Sequence, residues 1–202
     1  MPSEHPRVAA VILAAGSSTR MGRNKLLLDL GGETLVRRAA RAALGAGVDQ
    51  VVVVLGHEEP RVRAELDGLA CTPIVNPDHA EGAGTSVRTG VRHVAAAADA
   101  IVVVLADMPF VTAEMIATLV ERYRDTRAPL VVSHYGDVQA PPTLYDRALF
   151  DELLAIPDER CAKQVVRRHE QVAVVVAWPE SALRDIDVPA DYAGARADLA
   201  GG

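Results

Sequence analysis

The chain has 202 residues, 50% of them apolar, 24% charged and 3% aromatic. This apolar share excludes a disordered chain, and at about 150 residues per domain the length predicts one domain with a core of Val, Leu, Ile and Ala. A formal net charge of −6, apolar runs far short of the ~18 residues of a membrane span, and two cysteines without metal-type spacing predict a cytoplasmic protein with no nucleic-acid or membrane partner.

Short β-branched runs predict strands at residues 8–14, 50–55, 72–75, 100–105, 130–133 and 171–177. The runs at 51–55, 101–105 and 172–177 are continuously apolar, the pattern of strands covered on both faces. Helices are predicted between them at 34–46, 60–66, 85–97 and 112–124, the last opened by Thr112 as N-cap. Residues 135–145 carry Gly136 and Pro141-Pro142 and read as a loop or an edge strand. Helical spacing returns at 146–154 and 161–168, and 190–199 reads as a closing helix. The alternation gives the fold class: α/β, a single domain with a mostly parallel central sheet flanked by helices. In such a sheet ligands sit outside the carboxyl ends of the strands. The loops at 15–25, 56–59, 76–86 and 106–110, with the stretch near 185–187, therefore form the candidate site.

The first of these loops, Leu13-Ala-Ala-Gly-Ser-Ser-Thr-Arg-Met-Gly-Arg-Asn-Lys25, joins glycines, hydroxyls and cations at the end of a buried strand. Gly16 and Gly22 let backbone N–H groups turn toward an anion, Arg20 and Lys25 add charge, and Ala14 and Ala15 leave room for a flat group. Lysine occurs only at Lys25 and Lys163, against arginine at every other Lys/Arg position; such a bias can keep lysine where a compact, rotatable ammonium is required, with chance retention on a solvated surface as the alternative. Together the loop residues suit a polyphosphate cradle, with a flexible solvated loop as the alternative. It is not a P-loop, because five residues separate Gly16 from Gly22 and Arg23-Asn24 follow. Gly82-Ala-Gly84 lacks the third glycine of a dinucleotide fingerprint, and neither Gly-x-Ser-x-Gly nor His-Glu-x-x-His occurs.

Asp107 follows a buried strand and would face this cradle, where an oxygen ligand beside a polyphosphate can hold Mg²⁺; its alternative use is to cap the helix near Thr112. In Arg184-Asp-Ile-Asp-Val-Pro189 an extended chain places Asp185 and Asp187 on one side, with N-capping of the next helix as the alternative. The Ser86 hydroxyl and the N–H groups opening the helix after Gly82 suit a nucleobase edge, or simply cap that helix.

The string Leu-Ala-Ala-Gly-x-Ser-x-Arg-Met-Gly-x-x-Lys, residues 13–25, resembles the signature of the MobA-like NTP transferases, most closely the molybdenum cofactor cytidylyltransferase (MocA-like) branch. Later motifs follow in the family's order over nearly the whole chain. The resemblance implies a Rossmann-like (GT-A-like) nucleotidyltransferase fold, with a nucleotide-binding half near residues 7–110 and an acceptor-binding half near 111–200. It implies that an acceptor phosphate attacks the α-phosphorus of CTP, with Mg²⁺ as cofactor and pyrophosphate as leaving group. A phosphomonoester is already anionic, so positioning and charge stabilisation suffice without a general base.

On this resemblance Leu13, Ala14, Ala15, Gly16 and Ser17 bind the nucleotide together with Asn76 and Ser86. Lys25 serves the α-phosphate, Arg20 the β/γ end, and Asp107 and Asp187 the metal. His57 and Lys163 are candidates for the acceptor, with solvated surface positions as their alternative. The implied acceptor is molybdopterin, a phosphorylated pterin, and the implied partner a molybdenum hydroxylase apoenzyme. The chain departs from the family pattern at Gln139-Ala-Pro-Pro-Thr-Leu-Tyr145 and at Pro157-Asp-Glu-Arg-Cys-Ala162, both in the acceptor half. Two other readings remain: transfer to a sugar or polyol phosphate, and a non-catalytic cofactor chaperone, which the set Arg20, Lys25 and Asp107 argues against.

Overall fold

The computed structural model describes residues 5–18 and 21–200. Strands β1 (Val8–Ala14), β2 (Gln50–Leu55), β3 (Thr72–Val75), β4 (Ala100–Leu105), β5 (Leu130–Tyr135), β6 (Val138–Asp146) and β7 (Val174–Trp178) form one sheet in the order β3-β2-β1-β4-β6-β5-β7. Neighbours pair in parallel except around β6, which runs antiparallel to both β4 and β5. The helices are α1 (Leu35–Leu44), α2 (Glu59–Ala64), α3 (Ala83–Val94), α4 (Ala113–Thr126), α5 (Phe150–Leu154), α6 (Lys163–His169) and α7 (Pro189–Ala200). Among the described residues no helix is long and apolar enough to cross a membrane.

Central β1 is apolar at every position because both of its faces are covered. Val8, Ala10, Ile12 and Ala14 pack with Ala40 of α1 and Ile116 and Leu119 of α4. Ala9 and Val11 point the other way, to Val87 and Val91 of α3, Leu153 of α5 and Val165 of α6. This is the two-residue period of a strand between two helical layers. A third, smaller cluster of Met21, Leu28, Leu30, Leu35, Ile186 and Ala195 ties α7 to the chain that follows the first loop.

The strands predicted at 8–14, 50–55, 72–75 and 100–105 have those bounds, and the Thr112 hydroxyl accepts the Met115 N–H at 3.2 Å as the N-cap of α4. Two expectations are corrected. Residues 135–145 are not a loop or an edge, since β6 lies inside the sheet. Its prolines fit because the pairing with β5 jumps from Val132↔Thr143 to Ser133↔Ala140. Pro141 and Pro142, joined by a cis peptide bond, thus sit in a bulge where no ladder N–H is required. Their carbonyls accept from the Tyr135 hydroxyl at 2.8 Å and the Ser133 hydroxyl at 2.7 Å. The run 172–177, in turn, is not covered on both faces: β7 starts at Val174, forms a sheet edge, and leaves Val175 54% exposed. A run of valines reads alike on an edge and in an interior strand.

Helix α3 crosses β1 at Gly90, where an added Cβ would meet Val11 Cγ1 at 2.3 Å and Val54 Cγ2 at 3.3 Å. Gly90→Ala is expected to cost about 1–3 kcal/mol of unfolding free energy, the price of forcing a methyl into a packed core. Urea denaturation at an unchanged m-value reads this directly, and wild-type stability in the variant would refute so close a crossing.

Candidate functional site

The parallel strands β1 to β4 end on one edge of the sheet, and their loops begin in register. The Ala106 N–H donates to the Leu13 carbonyl and the His57 N–H to the Ala15 carbonyl, each at 3.2 Å, and the Asn76 N–H to the Leu55 carbonyl at 2.8 Å. Gly56 allows this crowding, since a Cβ there would lie 2.8 Å from that of Ala15.

Within the first loop Ser18 adopts a left-handed backbone (φ 53°), and its hydroxyl accepts the Lys25 N–H at 3.1 Å. Buried Asn24 accepts the Leu26 N–H at 3.1 Å and starts a single 3₁₀ turn at Lys25–Leu27. These bonds aim the Lys25 side chain at two carboxylates. Its Nζ lies 2.6 Å from Asp107 Oδ2 and 2.8 Å from Asp187 Oδ1, with side-chain exposures of 13%, 23% and 30% for Lys25, Asp107 and Asp187. Burial on its own would lower the lysine pKa, but Asp107 and then Asp187 outweigh it and hold the ammonium above its ordinary 10.5.

Asp187 comes from far along the chain, and its neighbour places it. Ile186 is fully buried in the third cluster, and its N–H donates to the Asp107 carbonyl at 3.0 Å. The N–H groups of Asp187 and Val188 donate to Asp191 Oδ2 at 2.9 and 2.8 Å. The start of α7 is therefore closed by a side chain reaching back from inside the helix, which leaves the Asp187 carboxylate for Lys25. Asp185 is exposed. Arg38 Nε holds the turn after Asp107 by donating to the Pro109 carbonyl at 2.8 Å.

A cavity of about 490 Å³ opens beside this ion cluster, with Leu13, Ala15, Gly16, Ser17, Ser86 and Asp107 in its lining. Ala14 instead faces the core. Asn76 is only 1% exposed and stands behind Ser86. Its Nδ2 donates to Thr85 Oγ1 at 2.7 Å and to Ser86 Oγ at 3.0 Å, while its Oδ1 accepts the Asp78 N–H at 3.1 Å. A second cavity of about 310 Å³ shares Leu13, Ala83 and Leu105 with the first and extends to Thr143, Tyr145 and Lys163. Its lining is mainly apolar, with exposed Lys163 on its wall. His57 is not in the lining of either cavity: it lines a neighbouring hollow that meets the larger cavity at Ser17, together with Ser18, Asn24 and Arg61, and stands 3.8 Å from Glu58. Arg20 lies outside the described residues.

Among the described residues no three His, Cys, Asp or Glu side chains gather into a metal-binding group. The pair Asp107 and Asp187 suits a cation such as Mg²⁺ that takes one or two carboxylates and completes its shell with phosphates and water. Sequence reasoning missed Ser18, Asn24 and Asp191, whose part is to bond nearby backbone. Their signal is the habit of Ser, Asn and Asp of making such local bonds, too common to single out three positions.

The family description "MobA-like NTP transferase domain" matches residues 10–172. Purine catabolism protein PucB of Bacillus subtilis is 30% identical over 201 residues, covering 93% of this chain and 95% of its own length. The chain spans only 30% to 51% of the bifunctional curated relatives that it also matches. Among solved structures, a nucleotidyl transferase from Methanothermobacter superposes with a TM-score of 0.82 at 25% identity, covering 97% of this chain and 99% of that one. Rv0371c of Mycobacterium tuberculosis in complex with manganese gives 0.80 at 25% identity, over 95% and 98%.

The raised lysine pKa fixes a pH dependence. The stabilisation from the Lys25 pair is complete below the free-lysine value of 10.5 and is lost as pH rises through the higher folded value. Lys25→Met leaves two carboxylates facing each other and should cost about 1–2 kcal/mol at neutral pH, less than a fully buried pair because the site is partly exposed. The stability gap between wild type and variant should stay constant to about pH 10 and close above it. A gap that does not narrow under alkaline denaturation would show that the ammonium is not the group holding the cluster.

Proposed function

The chain belongs to the MobA-like NTP transferase family and is a nucleotidyltransferase, and from that premise we propose that it is a cytoplasmic, Mg²⁺-dependent CTP:molybdopterin cytidylyltransferase. The observation that carries the reading is the convergence of Lys25 and Asp187 with Asp107, which lines the same cavity as Leu13, Ala15, Gly16 and Ser17. The Leu13-Ala14-Ala15-Gly16 form supports CTP as donor, and the full-length similarity to a purine catabolism protein supports delivery of the product to a purine-oxidising molybdenum hydroxylase.

In this reading the first loop takes the triphosphate. Lys25 leaves its carboxylates to neutralise the α-phosphate, and Arg20 serves the β/γ end. Asn76 donates to the Ser86 oxygen, so the Ser86 proton is left for an acceptor on the base edge. Asp107 and Asp187 hold Mg²⁺, which when bound supplies charge neutralisation to the phosphates. An acceptor phosphate oxygen forms a bond to the α-phosphorus as the bridging bond to the β-phosphate breaks, and the electron pair leaves on pyrophosphate. No side chain has to take a proton, so the chain's contribution is alignment and charge. Lys163 is the candidate cation for the acceptor. The apolar lining beside it favours, as a second reading, a phosphorylated acceptor less polar than a pterin.

Pyrophosphate release with Mg²⁺ and molybdopterin, run separately with CTP, GTP, UTP and ATP, tests the proposal. Release is expected with CTP alone, to fall at least ~100-fold in Asp107→Asn and ~100–1,000-fold in Lys25→Ala, and to stop with EDTA. CTP binding without release would overturn the acceptor, and release with GTP alone would overturn the base. A cofactor chaperone would release none with any nucleotide. Because Lys25 already stands between the two carboxylates, Mn²⁺ should bind the nucleotide-free protein weakly and Lys25→Met at least ~10-fold more tightly. Equal affinities by titration calorimetry would remove Asp107 and Asp187 as the metal's ligands.

A further inference from the structure

Residues 155–162, between α5 and α6, form a strap across the N-terminal turn of α3. Here backbone meets backbone. The Gly84 N–H donates to the Asp158 carbonyl at 2.9 Å, and a Cβ on Gly82 or Gly84 would come within 2.2 Å of the carbonyl oxygen of Asp158 or Pro157. One turn further along α3, Arg88 spreads its guanidinium over the same strap. One nitrogen donates to the carbonyl of buried Ile156, another to the Asp158 carboxylate. The strap then delivers Cys161, Ala162 and Lys163 to the wall of the smaller cavity, while Ala83 borders both cavities and Ser86 the larger. The first turns of α3 thus hold a nucleotide-side wall and the strap together.

We propose that Arg88 is a positioning residue for the acceptor: by latching the strap to α3 it fixes the wall that carries Lys163 in relation to the nucleotide cavity. This rests on reading the smaller cavity as the acceptor site. Arginine suits the task because its planar fork serves a carbonyl and a carboxylate at once, whereas a lysine would serve one of them. Asp158 is 47% exposed, so its charge pairing is screened and contributes little alone. The bond to Ile156 and the Gly84–Asp158 backbone bond carry the rest. Arg88 bonds to the strap and not to the Lys25 cluster, and α3 stays seated on β1 at Gly90, so loosening the latch frees the strap and its acceptor wall while Ser86 keeps its place.

Arg88→Ala, Arg88→Lys and Asp158→Ala in the full chain test this through amide hydrogen exchange and separate KM values. In Arg88→Ala the Gly84 amide should exchange ~10-fold faster, about 1.4 kcal/mol of lost protection, with β1 and β4 amides unchanged. The acceptor KM should rise ~10-fold while the CTP KM stays within about two-fold. Arg88→Lys and Asp158→Ala, each keeping part of the latch, should fall between. Unchanged Gly84 exchange, or acceptor and CTP KM values that rise together, would overturn the proposal. If wild-type protein transfers nothing to molybdopterin while CTP binds, the acceptor reading falls, and the latch then stands or falls on Gly84 exchange alone.

Discussion

One ammonium group, that of Lys25, holds three segments distant in sequence: the loop after β1, the turn after β4 and the stretch before α7. Its bonds of 2.6 and 2.8 Å to Asp107 and Asp187 keep two carboxylates together that would otherwise repel across a partly buried site. In the proposed reaction the acids would serve a cation and the lysine a phosphate, each released from the other when a ligand arrives. Local bonds from Ser18 and Asn24 present the lysine, and Ile186 buried in the small apolar cluster presents Asp187.

The sheet explains why this cluster sits beside a cavity. Four parallel strands release their loops on one edge, and a doubly covered core beneath leaves them no other place to go. β6 runs against the others and passes between β4 and β5 with its prolines in a bulge. That reversal brings Thr143 and Tyr145 against Leu13 and Leu105, so the smaller cavity shares a wall with the larger one. The two cavities thus meet across Leu13, Ala83 and Leu105.

Helix α3 joins the walls of the two cavities. Its Gly90 lets it lie close on β1, and Gly82 and Gly84 let the strap lie close on it. Close packing resists small shifts through many atoms at once, so a helix seated on the central strand is a firm base for both cavity walls.

Much of this was legible in the chain. Apolar β-branched runs set the bounds of β1, β2 and β4 because a strand covered on both faces leaves little room for polar residues, and the short run Thr72–Val75 set those of the edge strand β3. The Leu13–Lys25 string and the acid after β4 pointed to the loop and the carboxylate that meet beside the larger cavity, since glycines, hydroxyls and charge at strand ends have few structural uses. Tertiary structure alone decided the rest. Proline forbids a ladder bond, yet a bulge in the β5–β6 pairing excused Pro141 and Pro142 inside the sheet. Asp185 and Asp187 are equivalent to any local rule, and burial of Ile186 together with the reach of Asp191 chose between them. His57 follows a strand as Asp107 does, but packing turned it into another hollow. Periodicity and residue chemistry are local and survive in the sequence, whereas which surfaces meet depends on contacts between residues that the chain keeps far apart.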